Sequence, residues 1–205
     1  MIFTDFFTKK IDSKKLAQKE HARLLVVSDS HGLYSALENI ILKYGRGCDA
    51  LIHCGDGNTD LSLLLKNAET NEELKEAIPN VVINVRGNCD PDPKIPLKQI
   101  FTVNGTKILV VHGHNQNVNF GLDQLALQAQ LQECKVAIYG HTHIASERRF
   151  ATLSLINPGS CSSPRGGQKA GFAIITVEKD FIDTAFLRRT NSTDANSDFE
   201  IYHPL

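Results

Sequence analysis

Residues 22–30, ARLLVVSDS, form a short apolar run that stops at polar residues. A continuous run of this length is the pattern of a parallel strand buried on both faces. LYSALENIILKYG (33–45) spaces its apolar residues at helical intervals and closes on Gly45, a residue suited to a helix C-terminus. DALIHCGD (49–56) repeats the strand pattern, LSLLLKNAETNEELKEAI (61–78) the helical one, and NVVINVRGN (80–88) adds a third strand. This strand–helix alternation predicts a parallel sheet with right-handed crossovers.

The pattern changes after the proline-rich DPDPKIP (90–96). LKQIFTVNGTKILVVHGH (97–114) predicts a hairpin turning at Asn104-Gly105, because these two residues accept the left-handed conformations of a tight hairpin turn. A helix is expected over 119–135 and a strand over 136–141. Short strands are expected at 147–151, 153–157, 170–177 and 180–188, with NPGSCSSPRGG (157–167) as a loop. The fold class is α/β, two mixed sheets flanked by helices. Three segments are expected: an N-terminal extension (1–21), a main domain (22–188) and a polar C-terminal tail (189–205). In the extension, Phe3, Phe6, Phe7 and Ile11 share one helical face, so a docked helix is expected that covers a sheet edge or mediates dimerisation.

Composition narrows the function. The 22 Lys and Arg nearly balance 23 Asp and Glu, so no global field draws nucleic acid or an anionic membrane, and any phosphate recognition must be local. Five cysteines, an odd number without a C-x-x-C pair, read as reduced thiols in a cytoplasmic protein. Apolar stretches fall short of a membrane span. Asp5, Lys9 and Lys10 interrupt the hydrophobic start and argue against a signal peptide.

The chemistry gathers where the predicted strands end. There the chain places Asp29-Ser30-His31-Gly32, Gly55-Asp56-Gly57, Gly87-Asn88-Cys89-Asp90, His112-Gly113-His114 and Gly140-His141-Thr142-His143. Open α/β sheets bind ligands outside the carboxyl ends of their strands. Each segment alone reads more readily as an ordinary turn or loop. Five together deliver aspartate, asparagine and histidine to one rim, an N/O donor set suited to divalent transition metals.

In this order and spacing, D-x-H, G-D, G-N-C-D, H-G-H and G-H-T-H resemble the calcineurin-like metallophosphoesterase superfamily, in particular its small single-domain bacterial and archaeal phosphodiesterases. The resemblance covers about residues 22–188 and implies a four-layer α/β/β/α sandwich with two divalent metal ions per chain. Carried over by position, Asp29, His31, Asp56 and His143 hold one ion. Asp56, Asn88, His112 and His141 hold the other, with Asp56 bridging. Mn stands first among the metals; Fe, Zn, Co and Ni also suit mixed imidazole and carboxylate ligation. The implied reaction is hydrolysis of a small phosphoester by metal-activated hydroxide, with Asp56, Asn88 and His112 the catalytic ligands. A pair of ions can lower the pKa of a water and clamp phosphoryl oxygens. His114 and Arg165 are the implied substrate contacts, and the NPGS loop (157–160) lies near the site.

Two departures stand out. Cys89 occupies the place where many larger members carry a histidine that protonates the leaving group; a thiol is poorly matched to that task, so good leaving groups and diesters are favoured. The extension before residue 22 is also unusual for a small member. His53 reads as a strand-end residue, and Asp90 and Asp92 as turn formers. Arg86, like Arg165, reads equally as a phosphate contact or a surface residue. The rival reading is a non-catalytic protein-binding scaffold, since the same fold resembles a retromer subunit with a degraded ligand pattern. Here every expected ligand is present, which favours the enzyme.

Overall fold

The computed structural model describes residues 14–179, 181–191, 194 and 197–204. In chain order the elements are α1 (Lys14–Ala17), β1 (His21–Val27), α2 (Tyr34–Tyr44), β2 (Ala50–His53), α3 (Asn58–Asn67), α4 (Glu72–Ala77) and β3 (Val81–Asn84). There follow β4 (Lys98–Val103), β5 (Thr106–Val111), α5 (Asp123–Leu131), β6 (Val136–Ile138), β7 (Ala145–Phe150) and β8 (Leu153–Pro158). The chain ends with β9 (Gly171–Glu178), β10 (Phe181–Arg189) and β11 (Phe199–Tyr202).

Alternate side chains of β1 enter different cores, as its unbroken apolar run requires. Leu24 and Val26 face a cluster shared with Phe101, Ile108, Val110, Ile138 and Ile156. Leu25 and Val27 face Leu37, Ile40, Leu61, Leu64 and Leu74 on α2, α3 and α4. A third cluster joins Leu109, Val111 and Ala137 to Leu125 and Ala129 of α5. Three apolar interfaces therefore separate four layers, α/β/β/α. Full burial of one such leucine or isoleucine contributes about 1.5–3 kcal/mol, so these interfaces dominate the favourable side of folding. The sheets are ordered β11-β10-β9-β1-β2-β3 and β4-β5-β6-β8-β7. β1, β2 and β3 run parallel, as do β5, β6 and β8, so the ends of β1, β2, β5 and β6 meet at one rim.

The hairpin β4–β5 turns at Asn104-Gly105, both at positive φ (45° and 78°). Other boundaries differ from the sequence pattern. The helical region 61–78 is two helices, because the Asn71 side chain accepts from Leu74 N (3.1 Å) and starts a new one. Gly45 closes α2 in a right-handed conformation; its lack of a side chain serves space, since a Cβ there would strike the carbonyl oxygen of Ala77.

The C-terminal segment expected as a polar tail carries a strand. β11 pairs antiparallel with β10, Arg189 opposite Phe199 and Phe186 opposite Tyr202. Its polar flanks hid two aromatic anchors, Phe199, with its ring 5.0 Å from Phe172 and 5.8 Å from Tyr44, and Tyr202, 6.3 Å from Phe186. The expected N-terminal helix face of Phe3, Phe6, Phe7 and Ile11 lies outside the described residues.

Phe199→Ala is expected to lower unfolding free energy by about 1–3 kcal/mol, less than a fully buried phenylalanine because the ring is half exposed. Urea denaturation reads this directly. Unchanged stability would show that β11 docks outside the cooperative unit.

Candidate metal centre

The pairing of β1 with β2 continues past both strands. Cys54 N donates to Val27 O (2.9 Å), Asp29 N to Gly55 O (3.1 Å) and His31 N to Asp56 O (3.1 Å). Asp29, His31 and Asp56 are thus held in register by backbone. Asp29, His31, Asp56, His141 and His143 all have positive φ, from 45° to 67°. The left-handed region is strained for residues with a side chain and persists where the surroundings over-determine it. Here those surroundings are hydrogen bonds to the very same residues.

The side chains converge. Asp29 Oδ1 lies 3.2 Å from His143 Nε2 and 3.7 Å from His31 Nε2. The two imidazole nitrogens are 3.1 Å apart. Asp56 Oδ2 lies 3.3 Å from His112 Nε2 and 3.8 Å from His31 Nε2. In two sets, Asp29/His31/His143 and Asp29/Asp56/His112, the ligand atoms all lie within 4.8 Å of one another.

The other expected ligands stand at the rim. Asn88 is exposed, its amide nitrogen donating to Cys89 Sγ (3.3 Å). The His141 ring is edge-on to His112 with centroids 5.1 Å apart, and its Nε2 accepts from Asn119 Nδ2 (3.0 Å). The His114 ring is 5.4 Å from His112, with a buried Nδ1 that lacks a partner among the described residues. Arg165 is exposed, and its backbone N donates to His143 O (3.0 Å). His53, buried at the end of β2, accepts from Gly55 N and stays out of both sets.

The protonation pattern suits cations. His112 Nδ1 donates to Cys54 O (2.7 Å) and His143 Nδ1 to Ser163 O (2.6 Å), which turns each Nε2 toward the carboxylates. Asp29 Oδ1 and His112 Nε2 are buried and lack a well-formed hydrogen bond among the described residues, their nearest partners being the ion-pair contacts given above. Orphaned buried groups of this kind cost about 1–3 kcal/mol each, and divalent ions between them would satisfy both. The donors present therefore fit a metal centre.

Burial pushes the Asp29 carboxyl up, but hydrogen bonds from His143 and His31 outweigh it and hold Asp29 well below the usual range. Asp56 is likewise pushed up by burial and brought down to about 2 by His112. His31 is raised, mainly by Asp29. Burial lowers His112, but Asp56 and Asp29 prevail and raise it. Burial and the neighbouring His112 depress both His114 and His141.

Several residues position this set without joining it. Asp90, whose turn-forming role was legible, accepts from Asp56 N (2.9 Å), Gly57 N (3.1 Å), Asn58 N (2.9 Å) and Gly87 N (2.8 Å). Asp60 accepts from Ser30 Oγ (2.5 Å) and Gly32 N (2.9 Å). In the NPGS loop, Ser160 Oγ donates to Asp29 O (2.7 Å) and Asn157 Nδ2 to Gly140 O (2.8 Å). A Cβ at Gly87 would collide with the Asp56 carboxylate, and one at Gly140 with the Ser28 hydroxyl.

Comparison with known proteins gives a consistent picture. A probable metallophosphoesterase of Bacillus subtilis, YsnB, is 33% identical over 163 residues, covering 80% of this chain and 89% of its own. The phosphodiesterase YfcE of Escherichia coli K12 is 29% identical over 168 residues, covering 75% of this chain and 86% of its own. Among solved structures, a conserved uncharacterised protein of Streptococcus pneumoniae TIGR4 that carries a phosphoesterase prediction superposes with TM-score 0.67. It is 25% identical and covers 90% of this chain and 98% of its own. Vps29 of Entamoeba histolytica, 18% identical, shares the fold at TM-score 0.65 over 88% of this chain and 98% of its own. Residues 23–180 match the calcineurin-like phosphoesterase superfamily domain, and the chain belongs to that family.

Proposed function

We propose that the protein is a phosphodiesterase that works with two divalent metal ions, manganese first among them, on a small phosphoester in the cytoplasm. The observation that carries this reading is the pair of buried ligand atoms, Asp29 Oδ1 and His112 Nε2, that lack a well-formed hydrogen bond and lie in one close set with Asp56. Asp29, His31, Asp56 and His143 would hold one ion. Asp56, Asn88, His112 and His141 would hold the other. Bound there, the ions supply Lewis acidity and a deprotonated water at neutral pH.

The chain's own groups do the rest. Asp56 Oδ2 lies between His31 and His112, imidazoles assigned to different ions, which supports its role as the bridge. His114, kept neutral by burial and by His112, offers an imidazole to the ester, and Arg165 a guanidinium. Burial and Asp56 raise the Cys89 thiol, so it is a poor proton donor beside the leaving group. Diesters with good leaving groups are favoured for that reason. The 22 Lys and Arg nearly balance 23 Asp and Glu, so no net positive field draws nucleic acid. No helix among the described residues is long and apolar enough to cross a membrane. The N-terminal extension is proposed as the element through which a homo-oligomer would form.

Metal-stripped protein reloaded with Mn²⁺ is expected to bind two ions per chain and to hydrolyse an activated aryl phosphodiester faster than an alkyl monoester. Asp56→Ala should lose both ions and about 100-fold or more of the activity, at least the loss typical of a disturbed metal-supporting residue. Full metal load without hydrolysis of any ester would turn the reading to the scaffold of the same fold.

A second expectation concerns pH. Raised His31 and His112 stabilise the metal-free fold fully below their ordinary value of 6.5 and lose that contribution as pH rises through the folded values. Depressed Asp29 and Asp56 stabilise it above 3.8 and lose that contribution as pH falls. The contribution of these groups is therefore largest between those limits, while the depressed His114 and His141 act in the opposite sense below 6.5. The loss of Tm above pH 6.5 should accordingly be smaller in H112Q than in the parent. Metal must displace the histidine protons, so its affinity should fall with decreasing pH and its binding should release protons. Calorimetry in two buffers of different ionisation enthalpy measures the release. No proton release at pH 6.5 would contradict the protonated imidazoles.

A further inference from the structure

The sulfur of Cys89 belongs to a third donor set. Its Sγ lies with ligand atoms of His31 and Asp56 in a group whose members are all within 4.8 Å of one another. Cys89 is held in this place, because its backbone N donates to Asp56 Oδ1 (2.7 Å). Asn88 Nδ2 donates to Sγ (3.3 Å), a contact that favours electron density on sulfur. Asp56 joins this set to the rest of the centre, since its Oδ2 lies 3.8 Å from His31 Nε2 and 3.3 Å from the buried His112 Nε2. Cys89 is also exposed, whereas Cys54, Cys134 and Cys161 are buried and Cys48 lies between.

We propose that Cys89 is a further metal ligand of this centre, its sulfur entering the coordination of a thiophilic divalent ion such as Zn²⁺, Co²⁺ or Cd²⁺ beside His31 and Asp56. This rests on the metal-centre reading above. On binding, the Sγ–metal bond forms and the thiol proton leaves to water. Thiolate is a soft donor that selects zinc-like ions over manganese, so the residue tunes which metal the site retains.

The test is optical and does not depend on turnover. Metal-stripped protein is loaded with Co²⁺, its cobalt content is measured, and the near-ultraviolet thiolate-to-cobalt charge-transfer band is recorded. The parent should show the band, and C89S should lose it. Cd²⁺ affinity of C89S should fall about tenfold or more while Mn²⁺ affinity holds. Cobalt should also slow labelling of the exposed thiol by an aromatic disulfide, a measurement on the parent alone. Cobalt bound without the band, a band that survives in C89S, or labelling unaffected by cobalt would each overturn the assignment. A parent that binds no cobalt at all would overturn the metal-centre reading itself, and this one with it.

Discussion

Two carboxylates buried side by side are the constraint on which this molecule turns. Asp29 is wholly buried and Asp56 nearly so, at the ends of adjacent parallel strands. Placed in a low-dielectric interior, two negative charges repel and lose their hydration, and each alone would be pushed toward neutrality. Both instead stay well ionised because imidazoles crowd around them. In the metal-free molecule these carboxylates raise the basicity of His31 and His112, which are thereby the groups placed to supply compensating charge by taking protons. Divalent ions can supply more of it, with better geometry, and thereby release those protons. The fold thus carries a local electrostatic demand that a cation answers.

Meeting that demand requires backbone in an unfavourable region, and the surrounding structure supplies the means. Asp90 gathers four backbone N–H groups from two loops and sits at the start of α3, where the unpaired amides of a helix N-terminus favour negative charge. It does for the β2 and β3 loops together what a local cap does for one helix. Asp60 and Ser160 do the same for the β1 loop, from α3 and from the NPGS turn respectively. The glycines at 87 and 140 belong to the same arrangement, since their missing side chains let neighbouring loops close over the carboxylates. The ligands are therefore rigid for a reason outside themselves.

Much of this was legible in the sequence, and the limits have physical causes. The strands β1, β2, β3 and β5 announce themselves because both faces of each are buried, so their apolar runs have no polar interruption. The donor residues were legible because they follow those runs directly and glycines mark the turns. The long-range hydrogen bonds were not: nothing local to Asp90 says that Asp56 and Asn58, more than thirty residues earlier, will donate to it. α3 starts before the apolar spacing begins for that same reason, its first turn being held by Asp90 rather than by a residue of its own. β11 escaped notice because an edge strand of four residues needs only two aromatic anchors, Phe199 and Tyr202, and little else. The positive φ of five ligands is invisible to any pattern of residue types, because it is imposed by neighbours on aspartate and histidine, which do not ordinarily require it.

The rim differs from the centre in a way that bears on chemistry. The His112 and His143 rings are fixed by backbone carbonyls, whereas the Asn88 side chain and the His141 imidazole each bond to one exposed side chain, Cys89 and Asn119, although His141 N also donates to Asp29 Oδ2 (3.1 Å). A donor fixed by several contacts presents one geometry; a donor held by one can turn when a cation offers a stronger partner. In the proposed two-ion centre the half with Asp29 and His143 is the more fixed, and the Asn88 side chain and His141 imidazole of the other half are freer to turn toward an ion. The two halves share Asp56, so filling the first removes negative charge from the second and weakens its pull. Under the two-ion proposal, unequal affinity is the expected consequence, with the tighter position on the side of the fully buried Asp29.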